Sequence, residues 1–220
     1  MIILKDVSKS YGKKVVFSNL SLKVDKGELV YITGPSGAGK STMLRLIYCS
    51  EAPDSGHIAV ADWKVSKIKQ RAIPKLRRSI GIVFQDFKLF SNKTVFENIA
   101  LPLRFSGMHP QKVRGYVVEM LKKVNLSHTA ETLPQYLSGG EQQRIVIARA
   151  MVTKPIVLLA DEPTGNLDEK NAKSIMNLFN EINEQGTTVL IATHNTEIYK
   201  GTGCRGLFID NKYIEREFIG

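Results

Sequence analysis

Read for the spacing of hydrophobic and polar positions, the chain opens on two stretches, residues 2–7 and 15–24, that alternate with period two. That is the pattern of a strand with one buried face, and Gly12, Lys13 and Lys14 between them suit a turn, so the pair predicts an antiparallel sheet. Residues 28–33 read as a third strand, apolar enough to be buried on both faces. A glycine-rich stretch follows, then a helix expected to begin near Lys40 and to carry the apolar-rich run Met43–Ile47. The triplet Asp54-Ser55-Gly56 breaks the chain, residues 57–60 predict a short strand, 74–78 a basic helical turn and 80–84 a buried strand.

From about residue 86 to 137 the spacing changes to that of helices. Residues 94–105 have helical character interrupted at Pro102, and the stretch from Gly107 to Pro110 starts a longer helix with Val113, Val117, Met120, Leu121 and Val124 on one face. Alternating elements then resume: a helix after Ser138, a strand at 156–160, a helix at 172–184 carrying Ile175, Leu178, Phe179 and Ile182 on one face, and a strand at 188–192. A hairpin, 207–210 with 213–217, comes last. The expected fold class is α/β: one domain over residues 1–220, with an N-terminal antiparallel β subdomain and a helical lobe inserted at about 86–137.

Charge narrows the partners. A net charge of +10 suits something anionic, whether nucleotide, nucleic acid or the acidic inner leaflet. The densest run, Lys64, Lys67, Lys69, Arg71, Lys75, Arg77 and Arg78, is either a solvated face or a lipid-facing patch. No apolar run approaches the roughly 18 residues of a membrane span, and the first residues lack the basic and long apolar regions of a signal peptide, so a cytosolic placement is expected. Cys49 and Cys204 stand far apart and outside any Cys-x-x-Cys spacing, which predicts reduced thiols rather than a zinc site or a disulfide.

The strongest chemical signal is Gly34-Pro35-Ser36-Gly37-Ala38-Gly39-Lys40-Ser41-Thr42, between a predicted strand and a predicted helix. Gly34, Gly37 and Gly39 allow successive N–H groups to turn inward onto one anion, the helix adds its positive end, Lys40 supplies an ammonium for β and γ phosphates, and the Ser41 hydroxyl suits Mg²⁺. This is a P-loop. The strand at 156–160 delivers Asp161 and Glu162 to its carboxyl end, where ligands of α/β sheets bind. Asp161 is expected to hold Mg²⁺ and Glu162 to orient and deprotonate an attacking water. Ser138 and Glu141 have capping-box spacing, and Gly139 and Gly140 leave the N–H groups of that helix bare for a second anion contact.

The stretch Leu137–Gln142, LSGGEQ, resembles the LSGGQ signature of the ABC ATPases, with Glu for the final Gln. The likeness covers nearly the whole chain in the family's order, which implies a P-loop NTPase core with a helical signature subdomain. It implies that Tyr11 stacks on adenine, that Gln85 is the Q-loop glutamine contacting Mg²⁺ and γ-phosphate, that Asp168 lies in the D-loop, and that His194 is the switch histidine. Ser138, Gly139 and Gly140 become nucleotide contacts made across a homodimer. ATP and Mg²⁺ are the implied ligands.

The D-loop reads GNLD where SALD is common, which resembles the subgroup serving lipoprotein release, macrolide export and cell division; the stretches RLIYCSEAPDSG and TVFENIALPL are most like its cell-division members. The resemblance implies an integral membrane subunit as partner, met around residues 86–103, and a peripheral place on the cytoplasmic membrane face, with lipid contact mainly through that partner. A soluble ABC ATPase acting on nucleic acid is the competing class, but specific nucleic-acid binding is not expected: those relatives carry two ATPase domains or a long coiled coil.

Overall fold

The computed structural model describes every residue from Met1 to Gly220. Its first strands, β1 (Ile2–Tyr11) and β2 (Lys14–Val24), pair antiparallel around Gly12. Ile2 and Leu4 are buried with Leu20, Leu22 and Val24, as alternation requires when one face of a ladder meets a core; the period-two reading of 2–7 fails after Leu4, where an irregularity at left-handed Asp6 shifts the phase and buries Val7 instead. Then β3 (Leu29–Thr33), buried at every position, enters the glycine-rich loop, and α1 (Lys40–Ile47) leaves it. β4 (Ser55–Val60) and the short β5 (Trp63–Lys64) complete a four-stranded antiparallel sheet of order β2-β1-β4-β5. The break expected at residues 54–56 lies earlier, because Ser55 already pairs with Ser8 in the ladder.

After α2 (Ile73–Arg78) and β6 (Ile80–Val83) come the two helices of the lobe, α3 (Val95–Phe105) and α4 (Pro110–Lys123). The interruption expected at Pro102 does not occur. Proline removes one i→i−4 donor, yet α3 is held at its start by a capping box between Thr94 and Glu97 and along its length by buried Val95, Ile99 and Leu103. Ser106 N–H closes the last turn onto the Pro102 carbonyl at 3.1 Å.

α5 (Gly139–Met151), β7 (Val157–Asp161), α6 (Glu169–Glu184) and β8 (Thr188–Ala192) restore the alternation, and β9 (Arg205–Asp210) with β10 (Tyr213–Ile219) forms the last hairpin. α6 begins three residues before the predicted start because Asp168 caps it, its carboxylate accepting from Asn171 N–H at 2.8 Å.

The second sheet has the order β10-β9-β3-β8-β7-β6, parallel except for β10. Its residues alternate between two cores. Val30, Ile32, Val157, Leu159 and Leu190 face α1 and the antiparallel sheet, while Tyr31, Leu158, Ala160, Val189 and Ile191 face α3 to α6. Because β3, β6, β7 and β8 run parallel, the residues after them share one edge of the sheet, so Gly34, Gln85, Glu162 and His194 are delivered to the same side.

Candidate nucleotide site

The loop between β3 and α1 takes its shape from two glycines. Gly34 has φ of 139°, and a Cβ there would lie 2.1 Å from the Ile209 carbonyl oxygen; Gly39 has φ of 107°, and a Cβ would meet the Phe17 ring at 2.7 Å. No other residue fits either position. Gly39 also starts α1 without offering a side-chain acceptor, so the positive end of the helix is left for an anion. Lys40 is buried, and its ammonium donates to the carbonyls of Gly34 at 2.8 Å and Pro35 at 3.1 Å. It is folded across the mouth of the cradle, on weak acceptors that a phosphate would outbid.

Two side-chain pairs stand beside the loop. The Ser41 hydroxyl donates to Asp161 Oδ1 at 2.9 Å, joining the start of α1 to the end of β7. Burial pushes the Asp161 carboxyl above its ordinary range and the adjacent Glu162 adds to this, while the Ser41 hydrogen bond and the charges of Arg45 and Lys40 oppose it. One residue on, Glu162 has φ of 47°, a left-handed turn at the strand end that aims its carboxylate at His194. Its Oε1 lies 2.8 Å from His194 Nδ1, and its Oε2 accepts from the His194 backbone N–H at 3.4 Å.

Tyr11, Ser36, Gly37, Gly39, Lys40, Ser41, Thr42, Gln85, Glu162 and His194 line one cavity of about 360 Å³. A neighbouring cleft of about 330 Å³ is lined by Ser41, Gln85 and Asp161. A hydroxyl, an amide oxygen and a carboxylate are hard oxygen donors, a set that fits Mg²⁺ and not a soft metal. Pro35 turns outward to a separate hollow beside His194, and Ala38 packs into the core beside α1.

Ser138, Gly139, Gly140 and Asp168 are absent from the lining of both cavities. They form a site of their own, where Ser138 and Glu141 close the predicted capping box: Glu141 N–H donates to Ser138 Oγ at 3.3 Å and Ser138 N–H to Glu141 Oε2 at 2.9 Å. The Ser138 hydroxyl, which donates to Glu141 Oε2 at 2.7 Å, and then the Ser138 backbone N–H hold the half-buried Glu141 carboxyl below its ordinary range. A Cβ on Gly139 would make ordinary contact with Leu167 at 3.5 Å, so the start of α5 rests on the loop before Asp168. Asp168 itself bonds Asn171 through both oxygens, at 2.8 and 2.7 Å.

Two positioning residues escape sequence reasoning. Asn98, wholly buried, donates to the carbonyls of Phe90, Lys93 and Thr94 and accepts from Phe90 N–H, fixing the loop between Gln85 and α3. Its signal was a polar residue amid the apolar face of a helix. Arg149, near the end of α5, donates to the carbonyls of Lys88 at 2.7 Å and Phe87 at 2.9 Å, two consecutive left-handed residues just past Gln85. Phe87 and Leu89 are partly buried against the lobe, whereas Phe90 is half exposed.

Comparison with known proteins agrees with this geometry. Residues 17–165 match the family model described as ABC transporter. The cell division ATP-binding protein FtsE of Streptococcus pneumoniae is 47% identical, the match covering 99% of this chain and 95% of that protein. FtsE of Mycobacterium tuberculosis is 49% identical over 90% of this chain and 87% of its own. A dimeric ATP-binding cassette solved in a post-hydrolysis state with ADP and Pi superposes with a TM-score of 0.90 at 38% identity, covering 100% of this chain and 98% of that one. On the strength of the family match, the full-length relatives and the shared fold, the chain belongs to the ABC transporter family, as one of its ATP-hydrolysing subunits.

Proposed function

We propose that this chain is the ATPase of a cell-division complex, a single ABC ATPase domain that works as a homodimer on the cytoplasmic face of the membrane with an FtsX-like integral subunit, and that ATP turnover there controls cell-wall hydrolysis. The observation that carries the reading is the division of the site. Lys40, Ser41 and Glu162 converge on one cavity, while Ser138, Gly139 and Gly140 stand outside it. Two chains facing head to tail bring the signature of each to the cradle of the other. The names of the FtsE relatives and the dimeric cassette support the process and the pairing.

In this reading Tyr11 stacks on adenine and the N–H groups of Gly34 and of the residues from Ser36 to Thr42 hold the phosphates. Lys40 leaves the Gly34 and Pro35 carbonyls for the β and γ phosphates. Ser41, Gln85 and Asp161 would hold Mg²⁺, which when bound neutralises phosphate charge and polarises the γ-phosphoryl group. Glu162, held by His194, accepts a proton from water as its oxygen attacks the γ-phosphorus and the bond to ADP breaks. Ser138 and the N–H groups of Gly139 and Gly140 face the γ-phosphate from the second chain, with Asp168 beside them. Loss of that phosphate removes the charge that joins the dimer.

No helix of the chain is long and apolar enough to cross a membrane, so attachment is assigned to the partner, at the surface around residues 86–103. With Cys49 and Cys204 replaced by serine, a cysteine at half-exposed Phe90 should crosslink to a cytoplasmic loop of the copurifying membrane subunit. Deleting that subunit should release the ATPase from membranes even at low salt. Retention on partner-free membranes without a crosslink would make the basic run 64–78 the anchor and sink the proposal.

A further inference from the structure

Gly140 is a glycine for a reason outside its own backbone. It lies buried in the first turn of α5 without a left-handed φ, a position where alanine is the better helix former. A Cβ there would lie 2.6 Å from Asn171 Oδ1, 2.8 Å from its Cγ and 3.4 Å from its Cβ, whereas one on Gly139 would make only ordinary contacts. The space over Gly140 is therefore filled by one half-buried side chain, from the first turn of α6, and that side chain is not free to leave. Asn171 N–H donates to Asp168 Oδ1 at 2.8 Å and Asn171 Nδ2 donates to Asp168 Oδ2 at 2.7 Å. The backbone bond first, and then the side-chain bond, hold the exposed Asp168 carboxyl below its ordinary range. One turn further along both helices Arg144 donates to Ser174 Oγ, a second tie between α5 and α6.

We infer that Asn171 is a positioning residue for ATP turnover: pinned by Asp168, it occupies the place of the Cβ that Gly140 lacks and so fixes the bare start of α5 against the start of α6. The inference rests on the pairing reading above, in which Ser138, Gly139 and Gly140 face the γ-phosphate held by the second chain. Asn171 touches no reacting atom there and acts through α5. The N–H groups of Gly139 and Gly140 stabilise charge on the phosphate only at hydrogen-bond distance, and the packing of Asn171 on Gly140 sets where they stand. An amide suits the task, because one end can donate to the Asp168 carboxylate while the other lies against the glycine. The competing account of Gly140, that a Cβ would obstruct the phosphate arriving from the second chain, gives Asn171 no part and predicts a different outcome when both residues are changed.

The test is suppression within one full-length chain. Gly140→Ala should cut kcat about a hundredfold, the effect of a misplaced contact at a reacting group, while ATP affinity stays within about threefold of the parent and reports that the variant is folded. Asn171→Ala alone should lower kcat about tenfold with KM for ATP unchanged, and the double variant should match it, about tenfold faster than Gly140→Ala. Recovery on removing a second side chain is a result that a merely structural role for Asn171 does not give. If the double variant is as slow as Gly140→Ala, the glycine is required by what arrives from the second chain, and the inference falls. Turnover by Asn171→Ala equal to the parent's would also overturn it, whether or not Gly140→Ala folds. Mixing Gly140→Ala with Lys40→Ala reports the pairing separately: suppression is read in a single preparation, so a mixture that recovers nothing counts against the pairing alone, and a mixture that recovers without suppression counts against Asn171 alone.

Discussion

Replacing Glu162 by glutamine isolates the proposed proton acceptor from everything else the site does. The carboxylate makes two contacts, Oε1 to His194 Nδ1 at 2.8 Å and Oε2 to His194 N–H at 3.4 Å, and none with Lys40 or Ser41. The amide keeps one carbonyl oxygen as acceptor, so at most one modest hydrogen bond, about 1 kcal/mol, is lost from the fold. Phosphate binding should be untouched, with ATP affinity within about threefold of the parent, because the cradle shares no partner with Glu162. The barrier to hydrolysis is another matter. Removing a positioned general base raises it by about 3 to 5 kcal/mol, a loss of roughly a hundredfold to ten-thousandfold in turnover. Phosphate release under excess Mg-ATP, set beside equilibrium binding of a fluorescent ATP analogue, separates the two. Turnover within threefold of the parent would refute the role, as would a parallel fall in affinity and rate, which would place Glu162 in binding.

Tyr11, at the rim of the cavity with its hydroxyl bonded to Glu51, should lose about 1 to 3 kcal/mol of ATP binding on change to Ala and little on change to Phe; equal defects would make the hydroxyl, not the ring, the contact. Glu141→Ala removes the capping box and should lower stability by about 1 kcal/mol near neutrality. Ser138 holds the Glu141 carboxyl below its unfolded value, so its contribution is present above that value and lost as pH falls through the folded one. Urea midpoints of parent and variant should therefore converge in strong acid, and a pH-independent gap would contradict the assignment.

What the sequence could announce was local and repeated. Period two in β1 and β2, all-apolar runs in β3, β7 and β8, and glycines at fixed spacing before Lys40 each report a short-range requirement. Where tertiary burial overrode a local preference, the reading slipped: Pro102 does not stop α3, because buried Ile99 and Leu103 on either side hold the turn. Within the stretch 86–103, read as a partner surface, Phe87 and Leu89 are half buried against the lobe, which leaves Phe90 as the exposed aromatic. Arg149 was invisible for a different reason. A basic residue in the last turn of a helix is the ordinary complement to its dipole, and only the fold reveals that it reaches two carbonyls about sixty residues upstream. The meeting of Gly34, Gln85, Glu162 and His194 likewise depends on parallel pairing of strands far apart in the chain.

The central claim is that each ATP is enclosed by the cradle of one chain and the signature of another, and mixing two inactive variants tests it directly. Lys40→Ala disables the cradle alone; Gly139→Asp, which finds only ordinary contacts within its own chain, sets a carboxylate against the γ-phosphate across the interface. A mixed dimer then holds one site with both defects and one with neither. With random pairing, two separately inactive preparations should recover up to about a quarter of the parent ATPase rate when combined. If mixing restores nothing although mixed dimers are shown to form, each chain builds its site from its own signature and the account is contradicted.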